Sequence, residues 1–273
     1  MYLQKFKHLL FVTLLVACGG AEPEHMQCAT AMDLVPHEQS IDVAEETTQQ
    51  SLSVVGRRMR AVAGKSRNAS VGTHNFEEGV RGTGTYFIHE GNHIVLTAWH
   101  VIDGAQSIVG VSTPDQELET ALILYADNRG AHDFAVLILS EPLETRTPME
   151  LKIYSGSISD IVSEQTVYTG NPGHHRQQTI FGTVSGIGPD GSIMLQSYAW
   201  GGASGSSVFD SRGRLIGILK AVDVNRSSVS PYPQINENVV WLSPPSSLDL
   251  VTIDAVLEIY RLVNQLQRSG GAE

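Results

Sequence analysis

A serine set between glycines is the strongest candidate for chemistry in this chain. Ser204 lies in the segment Gly-Ala-Ser-Gly-Ser at 202–206, directly ahead of an apolar run. Gly202 can adopt backbone angles that other residues avoid, so its amide and that of Ser204 can point at one spot and hold a developing oxyanion. A serine hydroxyl is a weak nucleophile by itself, and it needs a base within hydrogen-bond reach and a group that orients the base.

A histidine and an aspartate in suitable positions complete this set. His100 comes directly after the apolar run at 94–98, where a predicted strand ends and a rigid scaffold can hold an imidazole. Asp133 opens the most apolar run of the chain, 134–139, where a partly buried carboxylate can hold the imidazole by its Nδ1 proton. We therefore predict nucleophilic acyl transfer, with Ser204 as nucleophile, His100 as base and Asp133 as the orienting acid.

Other residues compete for these roles or suggest a metal. Asp103 and Asp127 are alternative acids, but neither opens an apolar strand. His174 and His175 are adjacent and follow a Gly-Asn-Pro-Gly turn at 170–173. Because neighbouring side chains on an extended segment point apart, and no third ligand is suitably spaced, we expect no metal site and no cofactor.

The elements that must position the three residues are short strands. β-type runs separated by Gly, Asn, Asp and Pro begin at about Val80, which is typical of an antiparallel sandwich or barrel. The predicted strands cover residues 83–89, 93–97, 121–125, 134–139, 166–169, 179–187, 193–196, 206–209, 215–222 and 239–242. A helix is predicted at 51–63.

A second helix is predicted near the end of the chain. Ser247 can cap it, and apolar residues recur at helical spacing on one face, which we expect to pack on the domain. These residues are Val256, Ile259, Tyr260, Val263 and Leu266.

Composition and charge limit the possible classes of function. The 273 residues, with 41% hydrophobic and 17% charged side chains, can form one good-sized domain or two small ones with a real core. A net charge of −11 offers little surface for counterion release, so we expect no nucleic-acid partner.

The start of the chain predicts export. Lys5 and Lys7 precede an apolar run at 9–16 that is too short for a membrane-spanning helix, as in a secretory signal covering 1–17. The sequence Leu-Val-Ala-Cys at 15–18 resembles the bacterial lipobox, which predicts lipidation of Cys18 and a membrane tether. The alternative is a disulfide between Cys18 and Cys28, and no cysteine follows to do chemistry elsewhere.

Three sequence blocks together resemble the bacterial trypsin-like, chymotrypsin-fold serine peptidases, close to the periplasmic heat-shock protease and glutamyl endopeptidase branches. They are Gly-Thr-Gly-Thr-Tyr-Phe at 82–87, Leu-Thr-Ala-Trp-His-Val at 96–101 and the serine segment at 202–206. Asp133, followed by Phe-Ala-Val-Leu, matches the family's acid position. The resemblance covers roughly residues 80–245. The order His100, Asp133, Ser204 differs from that of the α/β-hydrolases, which use the chain order Ser, acid, His.

The resemblance implies an all-β fold of two antiparallel six-stranded β-barrels, here with a C-terminal helix. It implies a serine endopeptidase acting on proteins or peptides of the cell envelope, with the amides of Gly202 and Ser204 as oxyanion hole. A binding protein without turnover and a serine esterase are the alternatives, and the oligomeric state is left open. The predicted divisions are a signal peptide at 1–17, an N-terminal segment at 18–70, a peptidase domain at 71–246 with its barrel junction near 140–155, and a helix and tail at 247–273.

The predicted specificity pocket lacks the residues with which family members select a charged residue before the cleaved bond. Tyr198 stands six residues before Ser204, where trypsin-like enzymes have an acid, and Leu219 stands where glutamyl endopeptidases have a histidine. Lys220 replaces a small polar residue and either meets an acidic group of the substrate or extends to solvent. With Tyr198 and Ala221 as pocket walls, we expect small or medium apolar residues before the cleaved bond.

Overall fold

The structure is a computed structural model that describes residues 42–115, 118–225, 234–244 and 250–270. This part of the chain consists mainly of strands, with a few helices. The predicted leader, Cys18, Cys28 and Ser247 lie outside the described residues. The described helices are α1 (Asp42–Ala69), α2 (Trp99–Ile102) and α3 (Leu250–Gly270), with 3₁₀ turns at Ile158–Ile161 and Pro172–His174. Among them, no helix combines the length and apolarity needed to cross a membrane.

Six antiparallel strands close the first barrel in the order β1-β4-β5-β6-β3-β2, with β1 pairing back to β2. These strands are β1 (Ser70–His74), β2 (Arg81–His89), β3 (Asn92–Thr97), β4 (Ile108–Ser112), β5 (Leu118–Asp127) and β6 (Phe134–Leu139). The short strand β7 (Met149–Glu150) adds to β2 in parallel. Strand β6 is apolar throughout because Ala135 and Leu137 pack in one core cluster while Phe134 and Val136 pack in another.

The second barrel is also closed by six antiparallel strands, in the order β10-β13-β12-β11-β8-β9. Its strands are β8 (Gln165–Gly170), β9 (Gln178–Ile187), β10 (Ile193–Gln196), β11 (Ser207–Asp210), β12 (Leu215–Asn225) and β13 (Gln234–Ser243). Tyr168, Ile193 and Leu195 are fully buried in its core. The two barrels confirm the predicted fold class.

A shared apolar cluster joins the two barrels to each other and to the long helices. Phe87 of β2 and Phe209 of β11 lie with their ring centroids 6.2 Å apart. Met59 of α1 and Ile253 of α3 are buried in the same cluster. Since burying a large apolar side chain contributes about 1.5–3 kcal/mol, this cluster fixes the barrels and the cleft between them.

The structure differs from the sequence prediction at both long helices. The helix predicted at 51–63 lies inside α1, which begins at Asp42. Among the described side chains of α3, Ile253 and Leu257 are fully buried, whereas Ile259 is 60% and Leu266 71% exposed. The expectation that the predicted stripe packs on the domain is therefore wrong for its outer residues, because the helix meets the core through its first turns.

Candidate active site

His100 is placed by a strand that runs into a single helical turn. The chain leaves β3 at Thr97, passes the fully buried Ala98 and turns into α2. Val101 and Ile102 anchor this turn in the core, while the side chain of His100 stays 37% exposed. The imidazole is thus fixed by buried neighbours and still open to a substrate.

Asp133 accepts two hydrogen bonds from the same histidine. Its Oδ2 lies 2.6 Å from His100 Nδ1, and its Oδ1 accepts the backbone N–H of His100 at 3.0 Å. Its own amide donates to Ser243 Oγ of the second barrel at 3.1 Å, and its side chain is only 15% exposed. An ionised carboxylate can only accept, so Nδ1 carries the hydrogen, and in the neutral ring Nε2 keeps its lone pair.

The Ser204 loop is a tight turn between β10 and β11 that is held to both barrels. Within it, the Ala203 amide donates to the Trp200 carbonyl at 3.0 Å, and Ser206 Oγ donates to the Ala203 carbonyl at 2.6 Å. The Ser204 carbonyl accepts the Thr83 amide of the first barrel at 2.8 Å. The loop position is therefore set by backbone hydrogen bonds on each side.

Gly205 allows this loop to lie against the segment that leads to His100. Its φ is +91°, and a Cβ there would overlap the Thr83 carbonyl oxygen and lie 2.9 Å from the Ala98 amide nitrogen. Only glycine fits such a position. The loop and the His100 turn are thus in contact at the junction of the barrels.

The predicted oxyanion hole has its two amides available. Gly202 has a φ of +98°, and a Cβ there would lie 2.5 Å from the Asn171 carbonyl oxygen. Within the described part of the chain, neither the Gly202 nor the Ser204 amide donates a hydrogen bond. Both can therefore donate to an oxygen of a ligand, while their role in catalysis stays a prediction.

Of the three predicted catalytic residues, the structure joins two directly. His100 and Asp133 form a hydrogen-bonded pair, whereas no hydrogen bond links Ser204 Oγ to His100 among the residues described. Hydrogen bonds of this kind are often long without substrate and shorten when substrate binds.

Thr83 is a site residue that the sequence reasoning assigned only to a strand. Its Oγ1 donates to the Gly202 carbonyl at 2.7 Å and accepts the Asn171 amide at 3.0 Å. The side chain is fully buried. One hydroxyl thus connects β2, the serine loop and the loop after β8. Its place in the Gly-Thr-Gly block was the signal available in the sequence.

Lys220 has protein partners that the sequence did not reveal. Its Nζ donates to Ser192 Oγ at 2.6 Å and to the Ala131 carbonyl at 3.2 Å, and it lies 3.5 Å from Asp190 Oδ2. Hydrogen bonds from Ser192, together with the ammonium charge, hold the pKa of Asp190 below its ordinary value. The lysine, 16% exposed, therefore does not extend freely to solvent, while its contact with a substrate stays a prediction.

The other two predicted pocket residues are open to solvent. Tyr198 and Ala221 are exposed, and the Tyr198 carbonyl accepts a hydrogen bond from the Tyr168 hydroxyl. Burial raises the pKa of Tyr168 above its ordinary value, so that hydroxyl remains a donor. The role of these residues as pocket walls stays a prediction.

The alternative acids have other surroundings. Asp127 pairs with Arg129 at 2.8 Å and His132 at 2.9 Å, and its pKa is well below the ordinary value chiefly because of the Arg129 hydrogen bond. Asp103 is exposed, as is His175, while the side chain of His174 lies outside the described residues.

One group of possible metal ligands occurs among the residues that the structure describes. His89, Glu90 and Asp254 present ligand atoms within 4.8 Å of one another. His89 is hydrogen-bonded to Asp254 at 2.6 Å, and Glu90 lies 3.3 Å from Arg261. Each carboxylate thus already has a partner on the protein, and the group lies outside the site of His100.

The sequence matches the family model for the trypsin-like peptidase domain over residues 82–218, about half of the chain. The chain belongs to the trypsin-like serine peptidase family. No curated protein matches the sequence.

Solved structures resemble the fold at low sequence identity. The serine endoprotease from Yersinia pestis matches with a TM-score of 0.55 and 19% identity, over 75% of this chain and 66% of that chain. The inactive form of Rv3671c from M. tuberculosis H37Rv, a serine-to-alanine mutant, matches with a TM-score of 0.54 and 17% identity, over 71% of this chain and 90% of that chain. The present chain thus spans slightly under two thirds of the Yersinia protein.

Proposed function

We propose that this protein is a serine endopeptidase that hydrolyses proteins of the bacterial cell envelope through an acyl-enzyme. The observation that carries the proposal is the His100–Asp133 pair at the junction where the Ser204 loop holds two unused amides. Membership in the trypsin-like serine peptidase family favours a peptide bond as the target.

In the first half of the proposed reaction, His100 Nε2 takes the Ser204 hydroxyl proton while Oγ bonds to the carbonyl carbon of the substrate. The carbonyl oxygen becomes an oxyanion and accepts hydrogen bonds from the amides of Gly202 and Ser204. The C–N bond then breaks, and His100 returns its proton to the leaving amine. An acyl-serine and a free amine result.

In the second half, water attacks the acyl carbon while His100 Nε2 again accepts a proton. The bond between the acyl carbon and Ser204 Oγ then breaks, and His100 returns its proton to Oγ, which releases the acid and restores the hydroxyl. Asp133 acts in both halves, because its two hydrogen bonds keep the ring oriented and its charge stabilises the imidazolium.

The test is hydrolysis of an unfolded protein by the full chain, with new termini identified by mass spectrometry. Wild type is compared with Ser204→Ala and with Ser211→Ala, a partly exposed serine in the turn after β11. We expect cleavage by wild type and Ser211→Ala and a loss of at least about 10³-fold in Ser204→Ala. Equal cleavage by wild type and Ser204→Ala would overturn the proposal. Ester hydrolysis without peptide cleavage would favour the esterase, and peptide binding without turnover the binding protein.

The proposed location is the cell envelope, with Cys18 as a lipid anchor. It is supported by the cationic and apolar start of the chain and by the lipobox-like residues at 15–18. Cys18→Ala is expected to move the protein from the membrane fraction to the soluble fraction. Cys28→Ala is expected to leave the protein in the membrane fraction. Membrane retention of Cys18→Ala would contradict the anchor.

A further inference from the structure

An open cleft of about 640 Å³ begins at Gly202 and runs away from the serine loop. Strands β1 and β4 of the first barrel form one wall, with His74 and Phe76. The loop between β8 and β9 forms the other, with Arg176 and Gln177. The cleft thus lies between the two barrels and extends from Gly202 away from the serine loop.

The position of this cleft relates it to one half of a bound substrate. It shares Gly202 with the proposed oxyanion hole but includes none of Tyr198, Lys220 and Ala221, the predicted pocket for the residue before the cleaved bond. A chain bound across the serine loop, with its acyl half at that pocket, places its leaving half in the cleft.

The charge in the cleft is positive although the whole chain is acidic. Arg81 and Arg176 line it, and no carboxylate of the described residues does. Arg176 Nη1 donates to the Pro114 carbonyl at 3.0 Å, which holds the guanidinium in place, and neither arginine forms an ion pair with a described residue. The neighbouring Asp115 is already paired with Arg146.

The charge of Arg81 also acts on His74, which lines the same cleft. His74, whose Nε2 lies 2.6 Å from Ser112 Oγ, has a pKa below its ordinary value, first because it is buried and second because Arg81 repels its protonated form. At neutral pH His74 is therefore uncharged, and the positive charge comes from the two guanidinium groups.

We infer that this cleft selects a carboxylate on the leaving side of the cleaved bond, a preference that presupposes the peptidase function proposed above. Guanidinium groups bind carboxylates through paired hydrogen bonds, so Arg81 and Arg176 are the specificity residues. The exposed side chains of Phe76 and Leu118 offer apolar surface to the stem of an acidic residue. The carboxylate belongs either to an Asp or Glu side chain or to the C-terminus of a short leaving peptide.

The first test compares kcat/KM for peptides that differ only by Glu or Gln two residues after the cleaved bond, each with a free or an amidated C-terminus. We expect Glu to be preferred by about three- to tenfold, less at high salt. Arg81→Gln and Arg176→Gln should each reduce the preference, and Arg212→Gln, an exposed arginine outside the cleft, should retain it. A preference for the free C-terminus alone assigns the carboxylate to the chain end. Equal rates for all four peptides would overturn the inference.

The second test separates the cleft from catalysis. Peptides that correspond to the residues after the cleaved bond are labelled with a fluorophore. Their binding to the full Ser204→Ala chain is measured by fluorescence anisotropy, which needs no turnover. We expect the Glu peptide to bind about three- to tenfold more tightly than the amidated Gln peptide, and both arginine substitutions to remove the difference. Equal binding would refute the cleft assignment even in an active peptidase, whereas charge-selective binding without Ser204-dependent cleavage would refute only the peptidase function.

Discussion

Replacing Asp133 by asparagine changes one atom and tests the role of the His100 pair. The carboxylate accepts two hydrogen bonds from His100, one from Nδ1–H and one from the backbone N–H. An asparagine side chain has one acceptor oxygen and one NH₂ donor, so it can satisfy only one of them.

Either orientation of the asparagine is unfavourable. With its oxygen on the backbone N–H, the NH₂ faces Nδ1 and favours the tautomer that carries its hydrogen on Nε2, which then cannot accept the Ser204 proton. With the opposite orientation, two donors meet at the backbone and a part-buried N–H loses its partner, which costs about 1–3 kcal/mol. We expect kcat/KM to fall by about 10³–10⁴-fold, or about 4–5.5 kcal/mol of transition-state stabilisation.

The assay is the rate of cleavage of the best peptide substrate, with thermal unfolding as a check that the variant folds. Asp103→Asn is the matched control, because Asp103 follows α2 and is exposed, with no side-chain contact to His100 among the described hydrogen bonds. A folded Asp133→Asn protein that retains cleavage within about threefold of wild type would refute the reasoning.

Three further predictions concern the surroundings of the site. Thr83→Val removes the hydroxyl that links the serine loop to the loop after β8. Because two part-buried backbone groups lose a partner, we expect the free energy of unfolding in denaturant to fall by about 1–3 kcal/mol, and an unchanged midpoint would contradict this. Asp127 has a lowered pKa, so its carboxylate stabilises the fold above about pH 5, and this contribution is lost as the pH falls below about 4. The difference in unfolding free energy between wild type and Asp127→Asn should therefore shrink between pH 6 and pH 3. A constant difference would be evidence against this role of Asp127. A peptide library should show small or medium apolar residues before the cleaved bond, and dominance of charged residues there would contradict the roles of Tyr198 and Ala221.

The sequence was informative about strands that are strongly apolar. The runs at Phe134–Leu139 and Ile193–Gln196 have the predicted bounds, because the first is buried along its length and the second buries Ile193 and Leu195. Strands β1 and β4 were not predicted: both contain β-branched residues, but each is only five residues long and is interrupted by a glycine. They form because pairing with β2 and β5 closes the barrel, which is a property of the whole fold.

The site shows the same division between local pattern and distant contact. The pairing of His100 with Asp133 followed from two local patterns, a histidine just after one apolar run and an aspartate just before another. Lys220 could not be placed from its own neighbours, because its partners Ser192 and Ala131 are distant in the chain and meet it only in the folded barrels. The two arginines of the cleft likewise come from separate barrels.

The most direct test of the account is the reaction of the full chain with a fluorophosphonate, followed by mass spectrometry of the labelled peptide. An activated serine predicts one adduct, on Ser204, formed by wild type and strongly reduced in His100→Ala. Absence of an adduct, an adduct on another residue, or labelling that His100→Ala leaves unchanged would contradict the claim that His100 activates Ser204 for attack on a carbonyl carbon.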